Sequence, residues 1–220
     1  MQLAVFNGSP RGLKSNTRIL MEQMMAGYQA AGGEAEISVN YLARIKQTAE
    51  HVAAYQAADV VILAFPLYTD SMPGITMAFI EALAAVKKGA FKIGYLVQSG
   101  FPEAEHSVHV EAYLEKLTDR LGAEYIGTII KGGVEGIQIQ HEKMTRKLFT
   151  SMQEFGRDLA ETGTWDPVKI MALRHPQRFT RLNAFLFTLI SKTGLTNFYW
   201  NMMLKKHDAF DRRFDKPYAP

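Results

Sequence analysis

The chain has 220 residues, of which 47% are hydrophobic and 21% charged, and both fractions are ordinary for a globular protein. This length is enough for one sizeable core and too short for two ordinary domains. The sequence contains no cysteine, which excludes disulfides, thiolate nucleophiles and cysteine-held zinc or iron–sulfur centres. Redox chemistry would therefore require a bound organic cofactor.

Charge is distributed unevenly along the chain. Residues 1–162 carry 15 basic and 18 acidic side chains, whereas residues 163–220 carry 10 basic and 4 acidic ones. The first residues lead directly into a strand-like segment, and the apolar run 182–190 is far shorter than the roughly 20 residues that span a bilayer. We therefore expect a cytoplasmic protein with a basic C-terminal extension.

Strand-like and helix-like segments alternate over the first 160 residues. Apolar runs and alternating patterns predict five strands, at residues 2–6, 34–40, 59–65, 91–98 and 125–130. Apolar residues at helical spacing predict helices between them and after the last. Such an alternation predicts an α/β fold with a parallel sheet covered on both faces. Ligands of these sheets bind beyond the carboxyl ends of the strands, so the loops after strands one, three, four and five are the candidates.

The first of these loops, residues 7–17, is suited to a phosphate group. It joins a buried strand to a helix N-terminus, which offers unpaired N–H groups and the positive end of the helix dipole. Its side chains add hydroxyl, amide and guanidinium donors at Ser9, Arg11, Ser15, Asn16 and Thr17. The alternative is an ordinary turn with Ser15 or Asn16 as the N-cap. Neither a Walker A loop nor a dinucleotide fingerprint is present.

Three motifs together resemble one protein family. GSPRGLKSNT follows strand one, FPLYTDSMPG follows strand three and QSGFPE follows strand four. They are similar to the corresponding loops of flavodoxin-like NAD(P)H-dependent FMN reductases and quinone reductases. The resemblance covers about residues 1–160 and implies a flavodoxin-like, doubly wound, five-stranded parallel sheet in the order 2-1-3-4-5.

The resemblance also implies a bound FMN with NAD(P)H as electron donor. Its phosphate would lie on the five donor residues of the first loop. The second loop would border the isoalloxazine ring, and the third would flank the other end of that ring; the residues concerned are Pro66, Leu67, Tyr68 and Thr69, then Ser99, Gly100 and Phe101. Some members of this family carry iron–sulfur clusters or redox-active thiols on cysteines near the second strand. Residues 40–59 of this chain contain no cysteine, which excludes an intrinsic cluster.

The residue types of these loops agree with that assignment, and each has a plainer alternative. Pro66 and Pro73 bracket a stretch that cannot extend the sheet, which leaves its backbone free to bond a ring edge. Tyr68 offers a flat apolar face, or simply packs on the neighbouring helix. Gly100 permits close approach of a ligand, or ends the strand in a turn. Gly132 and Gly133 after strand five mark either the rim of the site or a plain turn.

The remaining motifs predict no catalytic residue and no metal site. His106 and His109 stand three apart at a predicted helix start and lack a third ligand nearby, so a solvated helix turn is the preferred interpretation. No acid or base can be named from the sequence. Catalysis would belong largely to the flavin, with the protein supplying orientation and electrostatics.

The sequence thus predicts an FMN-dependent oxidoreductase in which NAD(P)H reduces the flavin and a quinone, free flavin or similar small acceptor then takes the electrons. The alternatives are an electron carrier serving a protein partner, and a flavin-binding regulatory protein without turnover. We expect no nucleic-acid partner. The calculated pI of about 9.0 differs from the acidic surface usual in flavodoxins.

The domain organisation is predicted as a flavodoxin-like domain over 1–162 and a helical extension over 163–220. An amphipathic pattern with basic neighbours runs through the extension, from Phe179 to Ile190, and a second apolar cluster spans 198–204. Such apolar surface needs a cover. We predict that it packs on the domain or on a partner subunit of a homodimer, with contact to an anionic membrane surface as the alternative.

Overall fold

The computed structural model describes residues 1–84, 86 and 89–216, except the side chain of Leu195. Residues 217–220 of the predicted extension lie outside this described part. The sheet strands are β1 (Gln2–Asn7), β2 (Glu36–Tyr41), β3 (Val60–Pro66), β4 (Lys92–Gln98) and β5 (Glu124–Lys131). The helices are α1 (Asn16–Ala30), α2 (Thr48–Ala57), α3 (Gly74–Leu83), α4 (Val108–Leu121), α5 (Glu142–Thr162), α6 (Pro167–Leu173), α7 (Arg181–Ser191) and α8 (Phe198–Lys206).

The five strands form one parallel sheet in the order β2-β1-β3-β4-β5, which confirms the predicted flavodoxin-like topology. Strand β3 is buried at every position, since a central parallel strand is covered on both faces. Because the strand order reverses between β1 and β3, the loops after these two strands diverge and leave a crevice at the carboxyl edge. The predicted binding loops therefore meet at one edge of the sheet.

Two apolar layers cover the sheet. On one face α1, α5 and α6 pack on the strands, and on the other face α2, α3 and α4 do so. Helices α1 and α5 approach so closely that a Cβ on Gly27 would lie 2.0 Å from the Gln153 carbonyl oxygen. A Cβ on Gly156 would lie 1.9 Å from the Met24 carbonyl oxygen. Both positions therefore require glycine, and this contact fixes α5 beside α1.

The core continues past the predicted domain end at residue 162. Helix α5 ends at Thr162 and is followed by Gly163, which adopts a left-handed conformation. Helix α6 begins after Asp166, whose carboxylate accepts a hydrogen bond from the Val168 N–H at 2.8 Å. Trp165 is 2% exposed and packs edge-on against Phe155. The structure therefore groups residues 163–178 with the first compact unit, Met1–Arg178.

A second compact unit begins at Phe179 and contains α7 and α8. Thr180 caps α7 by accepting a hydrogen bond from the Asn183 N–H at 3.2 Å. Within the unit, the rings of Phe179 and Phe187 lie 5.8 Å apart. The Arg213 guanidinium lies 3.9 Å from the centre of the Phe210 ring. The predicted helical character of the extension is present in this unit.

Candidate functional site at the carboxyl edge of the sheet

The loop after β1 is held by a chain of buried hydrogen bonds. The Asn7 amide donates to Ser15 Oγ at 3.0 Å, and its oxygen accepts from the Ser9 N–H at 2.9 Å. Ser15 Oγ in turn donates to the Gly12 carbonyl at 2.7 Å and accepts from the Arg18 N–H at 3.1 Å. These bonds use the one proton and both acceptor positions of the Ser15 hydroxyl. Ser15 is thus the N-cap of α1, the alternative that the sequence left open.

Three other donors of this loop are buried, unlike the exposed Arg11, and two of them bond to residues at or just beyond the ends of β4 and β5. Ser9, Asn16 and Thr17 are each at most 4% exposed. The Asn16 amide nitrogen donates to the Val134 carbonyl at 3.0 Å. Thr17 Oγ1 accepts from the Gln98 amide at 3.3 Å. The backbone N–H groups of Asn16 and Thr17 lie in the first turn of α1, where no intrahelical acceptor exists. The loop therefore presents backbone and side-chain donors at one helix end.

The loop after β3 has an unusual backbone. Tyr68 and Ser71 exchange backbone hydrogen bonds of 2.9 and 3.1 Å, which closes a tight turn. Its two central residues, Thr69 and Asp70, have φ angles of 49° and 59°. Two successive left-handed residues without glycine are strained, and such strain is concentrated at functional sites. The turn holds the half-exposed Tyr68 ring at the edge of the crevice.

The loops after β4 and β5 are joined to each other. The Val134 N–H donates to the Ser99 carbonyl at 3.1 Å, and the Gly133 N–H donates to the Phe101 carbonyl at 2.8 Å. A Cβ on Gly132 would lie 2.5 Å from the Phe101 carbonyl oxygen, so this crossing requires glycine. Gly132 therefore has a packing role at the rim. The Phe101 ring is 61% exposed beyond the crossing.

These loops surround a cleft of about 60 Å³. Eight of the twelve predicted cofactor residues line it, namely Ser9, Arg11, Asn16, Pro66, Leu67, Tyr68, Ser99 and Gly100. The other four lie around it: Ser15 as the helix cap, Thr17 behind Gln98, and Thr69 and Phe101 on the outer loops. Two lining residues, Gln98 and Glu135, were not predicted.

Glu135 gives the cleft its electrostatic character. Its carboxylate lies 3.4 Å from the Arg11 guanidinium and 3.5 Å from the Asn16 amide nitrogen. It reaches this position because the β5 loop crosses the β4 loop next to Gly100, where an added Cβ would lie 3.3 Å from Glu135 Cβ. An internal anion thus lies on the side-chain donors of the first loop. The donor set is therefore suited to a negatively charged oxygen group.

Comparison with known proteins identifies the family to which this fold belongs. A family model described as a flavodoxin-like fold matches residues 1–154, and the chain belongs to that family. No curated protein matches the chain.

Solved structures show the same fold at low identity. An NAD(P)H:quinone oxidoreductase from Methanothermobacter marburgensis matches with a TM-score of 0.58 and 14% identity, over 72% of this chain and 96% of that one. An FMN-dependent NADH-azoreductase from Bacillus anthracis, in complex with FMN, matches with a TM-score of 0.56 and 10% identity, over 73% and 100%. An NADH:FMN oxidoreductase in its apo form matches with a TM-score of 0.54 and 19% identity, over 80% and 96%.

The described residues contain neither a metal-binding cluster nor a membrane-spanning helix. No group of three or more His, Cys, Asp or Glu side chains is arranged to hold a metal ion in that part of the chain. His106 instead lies 4.0 Å from the Glu103 carboxylate and stacks on Phe101, with ring centres 4.8 Å apart. No described helix combines the length and the apolar character needed to cross a bilayer.

Proposed function

We propose that the protein is an FMN-dependent oxidoreductase that transfers electrons from NAD(P)H to a quinone, a flavin or a similar small acceptor. One observation carries the proposal: the carboxyl ends of β1, β3 and β4 bring buried phosphate-type donors and an apolar, aromatic rim to one cleft. The functions of the similar solved structures, an NAD(P)H:quinone oxidoreductase and an FMN-dependent azoreductase, support the same class.

The donor set fits a terminal phosphate. Backbone N–H groups at the start of α1 point along the helix dipole, and Ser9, Asn16 and Arg11 surround them with a hydroxyl, an amide and a positive charge. The carboxylate of Glu135 already lies on two of these side chains, as a phosphate oxygen would. Ser15 and Thr17 would act through the loop backbone and the Gln98 contact.

The rim fits the edge of a flat ring system. Pro66 ends β3 without an N–H, and the Leu67 N–H donates to the Gln98 carbonyl at 2.8 Å, which fixes the loop before its turn. Tyr68 provides an aromatic face, and the exposed backbone of Gly100 allows close approach from the opposite side. A cleft of about 60 Å³ is far smaller than the about 300–1,000 Å³ of enclosed ligand pockets. The ring would therefore rest on the rim with one face open to a second reactant.

The proposed chemistry divides between cofactor and chain. A bound FMN would supply reversible two-electron acceptance at its ring. The residues of this chain would anchor the phosphate, hold the ring edge by backbone groups of the β3 and β4 loops, and leave one face accessible. NAD(P)H and the acceptor would use that same face in turn.

Steady-state kinetics tests this assignment. FMN-loaded protein should oxidise NADH or NADPH in the presence of a soluble benzoquinone, with a rate proportional to bound flavin. A carrier for a protein partner would hold FMN and show almost no turnover with free quinone. A non-catalytic flavin-binding protein would not be reduced by either nicotinamide under anaerobic conditions. Either of these last two results would contradict the oxidoreductase proposal.

For the second unit we propose a role in homodimer formation. Helix α7 carries Leu182, Phe185 and Leu189 at helical spacing, and none of its residues is buried. Symmetric dimers are the commonest oligomers of soluble proteins, and association of two chains through this helix would cover its apolar surface. An anionic membrane surface is the alternative cover, because the flanking residues are basic. Light scattering and vesicle sedimentation separate the two.

A further inference from the structure

A second and larger cavity lies within the first unit, on the far side of the crossing between the β4 and β5 loops. Its volume is about 520 Å³, within the range of small-molecule pockets. Helix α5 lines one side and α6 with the following residues lines another, while Gly132 and Gly133 close the end nearest the sheet. None of the residues proposed to hold FMN lines this cavity.

The floor and walls of the cavity are apolar in the middle and basic at the sheet end. Leu148, Phe155 and Leu173 form the apolar part. At the sheet end stand Lys131, the last residue of β5, and Lys147 of α5. This combination of an apolar surface and a charged end is typical of sites for small amphiphilic ions.

Among the described residues, the two lysines have no acidic partner. Neither forms an ion pair within the described part of the chain, although Lys131 Nζ donates to the His175 carbonyl at 3.4 Å. Burial lowers the pKa of Lys131, and the charge of Lys147 lowers it further. Two like charges at a partly buried site repel each other, and a bound anion would relieve that repulsion.

The acidic group of the cavity lies elsewhere. Glu154 lines the same cavity about two turns beyond Lys147 along α5, where its charge acts on Lys169. Lys169 is also paired with Asp158, at 2.5 Å. Glu154 therefore balances positive charge at the α6 end of the cavity. At the sheet end, no acid among the described residues compensates the two lysines.

We propose that this cavity binds a small organic anion, with a carboxylate or sulfonate between Lys131 and Lys147 and an apolar ring-sized body on Leu148, Phe155 and Leu173. The cavity shares no lining residue with the proposed flavin cleft. It adjoins the same loop crossing through Pro102 and Gly132, so an occupant would contact the back of the β4 loop that borders the proposed flavin.

The test uses the full-length protein with whatever flavin it retains, and 2-naphthoate as the probe. Binding is followed by ¹H–¹⁵N spectra, with 2-naphthamide as the neutral isostere. We expect saturable shifts at the Gly132, Gly133 and Ser151 amides. We also expect 2-naphthoate to bind about tenfold or more tighter than 2-naphthamide, as for a charge-assisted contact.

Substitution of a cavity lysine tests whether its positive charge causes the preference for the anionic probe. Lys147→Met should remove most of the preference for 2-naphthoate over 2-naphthamide. Lys143 is an exposed lysine on the same helix that does not line the cavity, so Lys143→Met should leave this preference unchanged. Equal affinity of the two probes for the unmodified protein would overturn the proposal. So would shifts confined to Ser9 and Asn16 or to residues 179–204, or the absence of saturable shifts at millimolar probe.

Discussion

Replacing Glu135 by glutamine tests whether the flavin phosphate uses the donors of the first loop. The Glu135 carboxylate lies 3.4 Å from the Arg11 guanidinium and 3.5 Å from the Asn16 amide. A phosphate that accepts from the same donors, at about 2.9 Å, would stand within about 6 Å of that carboxylate. Two anions at this distance repel each other, so Glu135→Gln should strengthen FMN binding.

The size of the effect follows from Coulomb's law. At about 6 Å, each pair of unit charges costs about 0.7 kcal/mol at the dielectric constant of water and about 3 kcal/mol at a value of about 20. The side chain of Glu135 is 29% exposed, so solvent screening favours the lower end. With nearly two charges on the phosphate, we expect a gain of about 1–2 kcal/mol, or roughly 5- to 30-fold in Kd.

Fluorescence titration of apoprotein with FMN and with riboflavin measures this gain. Riboflavin, which lacks the phosphate, should bind both proteins equally. Glu161→Gln, an exposed acid near the end of α5, makes the same charge change at a distance and should have no effect. A weaker FMN complex in Glu135→Gln would refute the reasoning, because Glu135 would then orient the donors rather than compete with the phosphate. An equal gain for riboflavin would place the phosphate elsewhere.

Four other perturbations probe the site, the core and the second unit. Arg11→Ala should weaken FMN binding roughly 5- to 30-fold in titrations and leave riboflavin binding unchanged. The expected loss is reduced because the Arg11 side chain is 53% exposed. Equal losses for both ligands would make the loop purely structural. Gly156→Ala should lower the free energy of unfolding in urea by about 1–3 kcal/mol, whereas Gly74→Ala, with open space around it, should not; similar values for both would contradict the close α1–α5 contact. Burial lowers the pKa of His51 below 6.5, so the unfolded chain binds that proton more tightly, and stability should fall as the pH drops below about 6.5. His51→Gln should flatten this acid-side slope in denaturation curves, and an unchanged slope would assign it to other groups. Truncation after Arg178 keeps the first core intact and should convert a dimer into monomers by light scattering; a monodisperse monomer of the full-length chain would refute the dimer.

The fold could be predicted from the sequence because its signals are local. The apolar run of β3 is long enough to indicate a strand buried on both faces, and every residue of that strand is buried in the structure. Alternation of strands with helices then fixes a parallel sheet with right-handed connections. The end of the first unit was harder to predict, because Trp165 follows a helix-ending glycine and joins the core only through tertiary contact with Phe155.

The candidate site could be predicted only where the residues of a loop form one contiguous motif in the sequence. Most hydrogen-bond donors of the proposed phosphate site lie within the first loop, and eight predicted residues line the cleft. Glu135 was missed because it reaches the cleft only through the crossing of the β4 and β5 loops, which pairs residues 30 or more positions apart. For Gln98 the available signal was its position, because it is a polar residue at the end of an apolar strand. The capping role of Ser15 was an open alternative that only the hydrogen bonds decide.

Retention of flavin tests the central claim most directly. Protein incubated with excess FMN and then desalted should keep about one FMN per chain, seen as absorbance near 450 nm that trichloroacetic acid releases into solution. FAD and riboflavin should be retained less well under the same conditions, because neither presents a terminal phosphate to the first loop. Desalted protein without flavin absorbance, or a preference for FAD over FMN, would contradict the account.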